Sequence, residues 1–401
     1  MTQALIALGV LFLSAAVAQA QMLPTEPVSV AEGRVVVGAE VSATFASEDP
    51  GFFNYTDYEY SALRNLRIGV GAELRASRWL QLLGELRIDH GTHIEPFALY
   101  ARIRPWPTRR FDIQAGRIPP TFGAFGRYAY GAGNLLIGTP LAYQYLTSLR
   151  PDALPATGED LLRMRGRGWL SSFPLGVSTP DRGLPVINSV RADTGLQVHG
   201  VHGMVEWTGA VTTGSLSNPR IRDDNGGRQL AGRVVARPVP TIALGISAAR
   251  GAYLSRVLER VLPAGTRLED GVQQAVGVDG EYSRGRFLAR AEVIRSHWTL
   301  PFAFAGRDHE RLGAHAVLVE GRYRVFPGVQ LAVRAERLDF SSIDAGGRRE
   351  WWEAPVQRIE VGASYSIIRN VTVKASAQRN TRDGGRVRRD TLGAMQVVYW
   401  F

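Results

Sequence analysis

Apolar and polar residues alternate along most of this chain. Between Val371 and Asn380, Val371, Val373, Ala375 and Ala377 fall at one set of alternate positions, and Thr372, Lys374, Ser376, Gln378 and Asn380 at the other. Successive side chains of a strand point to opposite faces, so such a segment has one apolar and one polar face. The same pattern sets Leu66, Ile68, Val70, Ala72 and Leu74 against Arg67, Gly69, Gly71, Glu73 and Arg75. Helical periodicity is nearly absent. The alternation predicts strands near 33–46, 60–76, 78–91, 95–104, 110–118, 193–200, 203–213 and 228–237. Eight more are predicted near 241–251, 272–284, 286–298, 312–324, 329–340, 355–368, 371–382 and 390–401. Tight connections at Ser77, Pro105 to Pro107, Pro238 to Pro240, Gly285, Pro327-Gly328 and Arg369-Asn370 interleave with longer polar ones such as 214–227 and 252–271. The 92–94 connection departs from this by being short. An even number of strands with short turns at one end and long loops at the other predicts an all-β fold, a closed antiparallel transmembrane barrel of about 16 strands.

Two end segments fit that architecture. Ala4 to Ala18 is an apolar run followed by the small-x-small pattern Ala18-Gln19-Ala20, which reads as an export signal over 1–20, cleaved to leave a single barrel domain over 21–401. After it, no stretch is long and apolar enough for a spanning helix. At the other end, Met395, Val397, Tyr399 and Phe401 share a face of the last strand. This closing pattern resembles the C-terminal assembly signal of bacterial outer-membrane barrel proteins. Aromatic residues at strand ends also suit interfacial girdles: Trp79, Trp106 and Tyr399 at the short-turn end, Trp298, Trp351 and Trp352 toward the long loops.

Charge refines the picture. Formal net charge is +10, and Lys374 is the one lysine among 47 basic residues. The alternation places Arg67, Arg75, Arg87, Arg102, Arg104, Arg233, Arg290, Arg322, Arg334 and Arg358 on the polar face, with Glu73, Glu85, Glu292 and Glu336 among the acids beside them. A charge on the lipid side near mid-membrane costs about 2–4 kcal/mol for Arg or Lys. These residues are therefore expected to line a hydrated interior, most of them in wall ion pairs. Arg117, Arg295 and Arg337 fall on the nominal lipid face, which either carries them to lipopolysaccharide or marks a one-residue register slip.

The longest interruption runs from 119 to 192, after the fifth strand. Its apolar content predicts packing rather than disorder, and the barrel interior is the expected place for it. The layout resembles the bacterial outer-membrane porins of sixteen strands, whose third external loop bends into the lumen. More weakly, the arginine bias resembles the phosphate-selective porins, although those also use lysine clusters. The resemblance implies a homotrimer in the bacterial outer membrane, among lipid and lipopolysaccharide, passing small hydrophilic or anionic solutes. The constriction candidates are Arg127, Arg150, Arg163, Arg165 and Arg167. Closely spaced guanidiniums in a narrow passage concentrate anions, so a mild anion preference is expected. A solvated basic turn is the alternative for the 163–167 cluster.

Catalysis and cofactors are not expected. Cysteine is absent, Lys374 follows no glycine-rich phosphate loop, and Gly-x-Ser-x-Gly does not occur. The pairs His90/His93 and His199/His202 are spaced to point to opposite faces, so no metal site is expected. Basic residues spread over every strand do not make a nucleic-acid surface. Three alternatives stay open: a phosphate or sugar channel with Tyr128, Tyr130, Tyr143 and Tyr145 along its path, a plugged barrel with an enzymatic or structural role, and a soluble secreted β-protein.

Overall fold

A computed structural model describes residues 24–401 apart from 56–60, 62, 64–65, 90–92, 107, 109, 129, 303 and 305–309. The export-signal run, His90 and His309 lie outside the described residues, as do the side chains of His93, Arg127 and Tyr128.

Sixteen strands form one antiparallel sheet. They are β1 Val35–Ala46, β2 Leu66–Arg75, β3 Leu80–Asp89, β4 His93–Ile103, β5 Phe111–Ile118, β6 Asp193–His202, β7 Val205–Thr212 and β8 Gln229–Val239. Then follow β9 Ile242–Ala252, β10 Val272–Arg284, β11 Phe287–Thr299, β12 Arg311–Phe326, β13 Val329–Phe340, β14 Val356–Ile368, β15 Val371–Arg382 and β16 Arg389–Trp400. Each pairs with its neighbours in sequence, including β5 with β6 across the long interruption. The sheet closes where Glu40 to Ala46 of β1 face Trp400 to Ala394 of β16. Closure leaves no edge whose N–H and C=O groups would stand unpaired in lipid. Phe401 and Ala39 exchange backbone hydrogen bonds at 2.9 and 3.0 Å, and the short strand Val28–Val30 folds back onto β1.

Every predicted segment is a strand, with bounds shifted by a few residues. β2 is described from Leu66, and most of 60–65, where its predicted start falls, lies outside the described residues. The tight turns lie at one end. Gly285 (φ 59°) and Gly328 (φ 84°) occupy the left-handed region that a side chain resists. No helix among the described residues is long and apolar enough to cross a membrane; the strands are the candidates for crossing.

The two faces separate as the alternation predicts over the middle of the barrel. Leu244, Ile246, Val276, Val278, Val317 and Val319 stand exposed on the outside. Between them in register, Arg233, Glu292, Glu320, Arg334, Arg358 and Glu360 are buried on the inside. Toward the long-loop end of β9–β13 the pattern reverses. On β11, Arg290 and Glu292 point inward but so do Ile294 and Trp298, while Arg295 is exposed on the outside. The register of β10 with β11 runs unbroken from Arg284↔Phe287 to Gln273↔Trp298, so no slip accounts for Arg295.

The reason is the 119–192 segment. Phe122, Leu141, Tyr143, Leu149, Leu154 and Leu161 pack against Ile294, Trp298, Leu312, Leu338 and Trp352 in the main hydrophobic core. Trp298 and Trp352 are fully buried with ring centroids 5.9 Å apart. They belong to this core and not to an interfacial girdle, which corrects the expectation for both. Trp79, Trp106 and Trp351 are exposed, as a girdle requires. Among the described residues of the segment lie two α-helices, α1 Leu141–Gln144 and α2 Gly158–Met164, and a 3-10 turn at Phe125–Tyr128. In α2 the Thr157 side chain caps the Asp160 N–H and Asp160 returns the bond.

Candidate functional site

Backbone that leaves a sheet to run among other residues must find new hydrogen-bond partners. The charged face of the strands supplies them. Thr121 Oγ1 meets Gln197 of β6 at 3.0 Å, and the N–H groups of Gly123 and Ala124 donate to Ser247 of β9 and Glu292 of β11. Further along, Tyr130 donates to Glu85 of β3 at 2.6 Å, and Gly131 and Ala132 donate to Glu40 of β1 at 2.7 and 2.9 Å. The chain then meets β14, where Ile137 and Gly138 donate to Glu360, before Tyr143 reaches Glu292.

Carbonyls are served by cations. Lys374 Nζ donates to the carbonyls of Gly131 (2.6 Å), Asn134 (2.5 Å) and Leu136 (3.3 Å). Arg334 donates to Gly138 O at 2.6 Å and to Asn134 Oδ1 at 2.8 Å, and Arg358 to Thr139 O and Phe53 O at 3.0 Å. The fit is close: a Cβ at Gly138 would collide with Gln378 Nε2 and lie 2.7 Å from Glu360 Oε2. Residues 121–143 therefore touch side chains of β1, β3, β6, β9, β11, β13, β14 and β15.

The remaining wall candidates pair largely among themselves. Arg87 binds Glu85 at 2.7 Å beneath Phe97, Arg233 forks onto Asp279 at 2.6 and 2.8 Å, and Arg75 binds Glu73. Arg290 bridges Glu281 and Glu320, and Arg334 shares Glu320. Glu336 lies 4.0 Å from Arg334 and 3.9 Å from Arg358. Arg102 donates to the Tyr100 hydroxyl. Arg67, Arg104 and Arg322 are half-buried.

Of the constriction candidates, Arg150, Arg163, Arg165 and Arg167 sit elsewhere, and the Arg127 side chain lies outside the described residues. Arg150 is fully buried within its own segment, forked onto Asp152 at 2.9 Å and donating to Ser171 O and Thr179 O. Arg163 is exposed on α2 beside Asp160, and Arg167 is exposed. Arg165 donates to Asp383 O at 2.7 Å and lies over Trp351, among the long loops. Tyr143 and Tyr145 are buried and Tyr130 half-buried, so Tyr143 and Tyr145 line no open path. Among the described residues no cluster could hold a metal ion.

One group that alternation does not reveal is Glu353. It lies in the 341–355 connection and accepts from the N–H groups of Ser148 (2.6 Å), Gly166 (2.5 Å) and Ala354 (2.7 Å). Burial pushes its carboxyl above the ordinary range, opposed by those three donors. Replacing Glu353 with Ala strips the acceptor from buried N–H groups at about 1–3 kcal/mol each. Limited proteolysis is expected to nick the E353A loops about tenfold faster while the strands stay protected; equal nicking rates would mean that Glu353 does not hold these loops together.

Space remains inside. One interior void of about 410 Å³ is lined by Glu40, Glu73, Glu85, Tyr100 and Tyr130, and a smaller one of about 80 Å³ by Arg233, Asp279, Arg290 and Glu320. Among the long loops a cleft of about 780 Å³ carries Arg182, Arg191, Arg220 and Arg222 with Glu95, Asp152, Asp181 and Asp224.

A closed sixteen-stranded barrel with an apolar belt and a charged interior is the architecture of outer-membrane channel proteins. Solved structures agree on the fold. OmpF of Salmonella typhi, in a complex with daunomycin, aligns with a TM-score of 0.56 at 11% identity, over 92% of this chain and 97% of its own. The outer membrane channel DcaP of Acinetobacter baumannii aligns at 0.53 and 10% identity, over 94% and 100%. The trimer form of OmpT, an outer membrane protein of Vibrio cholerae, aligns at 0.52 and 12% identity, over 92% and 99%. At these identities the likeness is one of fold, and the chain has a porin-like barrel. No family model matches the sequence, and no curated protein matches it.

Proposed function

We propose that this chain is an outer-membrane porin through which small hydrophilic solutes diffuse, without catalysis, after an export signal over 1–20 is removed. The reading is supported by the hydrogen bonds that tie residues 121–143 to side chains of eight barrel strands, which we take as a segment crossing the interior. Sixteen strands enclose more space than side chains fill, and the crossing narrows that space where charged side chains line it, outside the apolar packing at the long-loop end. The fold neighbours include a channel and a barrel with a trimer form, which supports a channel role and a homotrimer for this chain as well.

A mild anion preference follows from the basic balance of the chain and from the exposed guanidiniums of Arg163 and Arg167 among the loops. The acids around the larger interior void moderate it. In planar bilayers under a KCl gradient, the reversal potential is expected on the anion side. A reversal on the cation side would overturn the preference. A folded barrel without conductance would overturn the channel and leave the plugged barrel in its place.

A further inference from the structure

The outside of the barrel changes character at the long-loop end of β9–β12. Arg250, Arg295, His297, Arg311 and His315 share the outward face with the exposed Val276 and Val317. The strand register gathers them: Arg250 lies opposite Gln274, Gln274 opposite His297, Arg295 opposite His315, and Arg311 opposite Thr299. No carboxylate among the described residues pairs with these three arginines. Among the described barrel strands the outward acid is Asp339, and Arg337 Nε holds it at 2.5 Å.

Beside this rim, in the register row that runs from Gly209 through Gly232, Ala248 and Val276 to Arg295, the outer surface is dented. A trough of about 1070 Å³ runs from these basic residues to where Gly209, Gly232 and Ala248 give strands β7–β9 almost no side chain, between Leu196, Val211 and Val276. Small residues in the trough and guanidiniums at its mouth make an amphipathic groove. Planar guanidinium forks match phosphate oxygens, and in a poorly hydrated setting unpaired cations demand an anion. Strands spaced about 4.8 Å apart spread the basic groups of β9–β12 over about 14 Å, a span that suits a head carrying two phosphates better than one.

We propose that this groove binds a phosphorylated lipid of the outer leaflet, with an acyl chain along Gly232 and Ala248 and the phosphates on Arg250, Arg295 and Arg311. The site rests on the outer-membrane reading above. Charge favours lipid over a second copy of the chain, because a partnering copy would have to offer acids on its outward face and the described strands offer Asp339 alone.

Native mass spectrometry of the full chain refolded in nonionic detergent tests the site. The probes are diphosphoryl lipid A, its dephosphorylated form and sodium pyrophosphate. Wild type is expected to retain one diphosphoryl lipid A at least about tenfold more tightly than the dephosphorylated form, with pyrophosphate a poor competitor. The R250Q/R295Q/R311Q variant should lose about tenfold in retention while keeping wild-type conductance and heat-modifiable gel mobility. The A248W variant, which fills the trough, should weaken retention with the arginines intact. Equal retention of the dephosphorylated lipid would overturn the proposal, as would undiminished binding by the triple variant. So would effective competition by pyrophosphate, or an oligomer that the triple variant dissolves. A barrel that conducts but holds no lipid ends this proposal alone; one that holds lipid but does not conduct ends the porin reading alone.

Discussion

Exchanging residues 123–139 for a glycine–serine linker of equal length is expected to raise single-channel conductance about threefold, since current scales with open cross-section. The exchange removes the side chains of Tyr130, Asn134, Leu136 and Ile137 and, by admitting many more backbone conformations, loosens the chain that Glu40, Glu360, Arg334, Arg358 and Lys374 now hold. Those wall groups then face water, and the linker, with nothing to fix it, should add noise to the open level. The apolar contacts of residues 141–161 with Trp298 and Leu338 remain, so the barrel should fold. Unchanged conductance in a folded barrel would mean that the crossing does not limit the passage.

The second large effect is at Arg334. Its side chain is fully buried and serves Glu320, Glu336, Glu360, Gly138 and Asn134 together. Arg334→Met leaves three buried carboxylates with Arg290 and Arg358 as their remaining cations. Removing one partner of a buried ion pair costs about 3–5 kcal/mol, because the charge left behind stays desolvated. Urea unfolding in detergent should show a loss of that order. The double variant R334M/E320M is expected to recover part of it, since the two changes share one network. A loss in the double variant equal to the sum of the two single losses would contradict the coupling.

The barrel was legible because strand alternation has a period of two and a closed sheet repeats it sixteen times. Even the turns at Gly285 and Pro327-Gly328 follow from local residues. The outer and inner faces were legible only where the interior is polar. On β9 and β11 the alternation continues past Ser247 and Glu292, yet Ala249, Ile294 and Trp298 are the inward residues and Arg250 and Arg295 the outward ones. Periodicity says that two faces differ, not which of them meets another part of the chain. The contacts of Lys374 and Glu353 join residues about two hundred positions apart, and no local pattern encodes such pairs. Arg150 shows the converse: a basic residue in a promising loop whose fork is taken up two residues away, by Asp152.

The seam between β1 and β16 has a consequence for how the molecule comes into being. β1 waits for β16, and about 350 residues separate Ala46 from Ala394. Until that partner is delivered, both bordering strands present bare amide and carbonyl rows that invite adhesion to other chains. Ring completion is thus a late, nearly all-or-none event, and shortening the chain by a few residues at Tyr399 to Phe401 should harm biogenesis far more than it would alter a barrel already assembled.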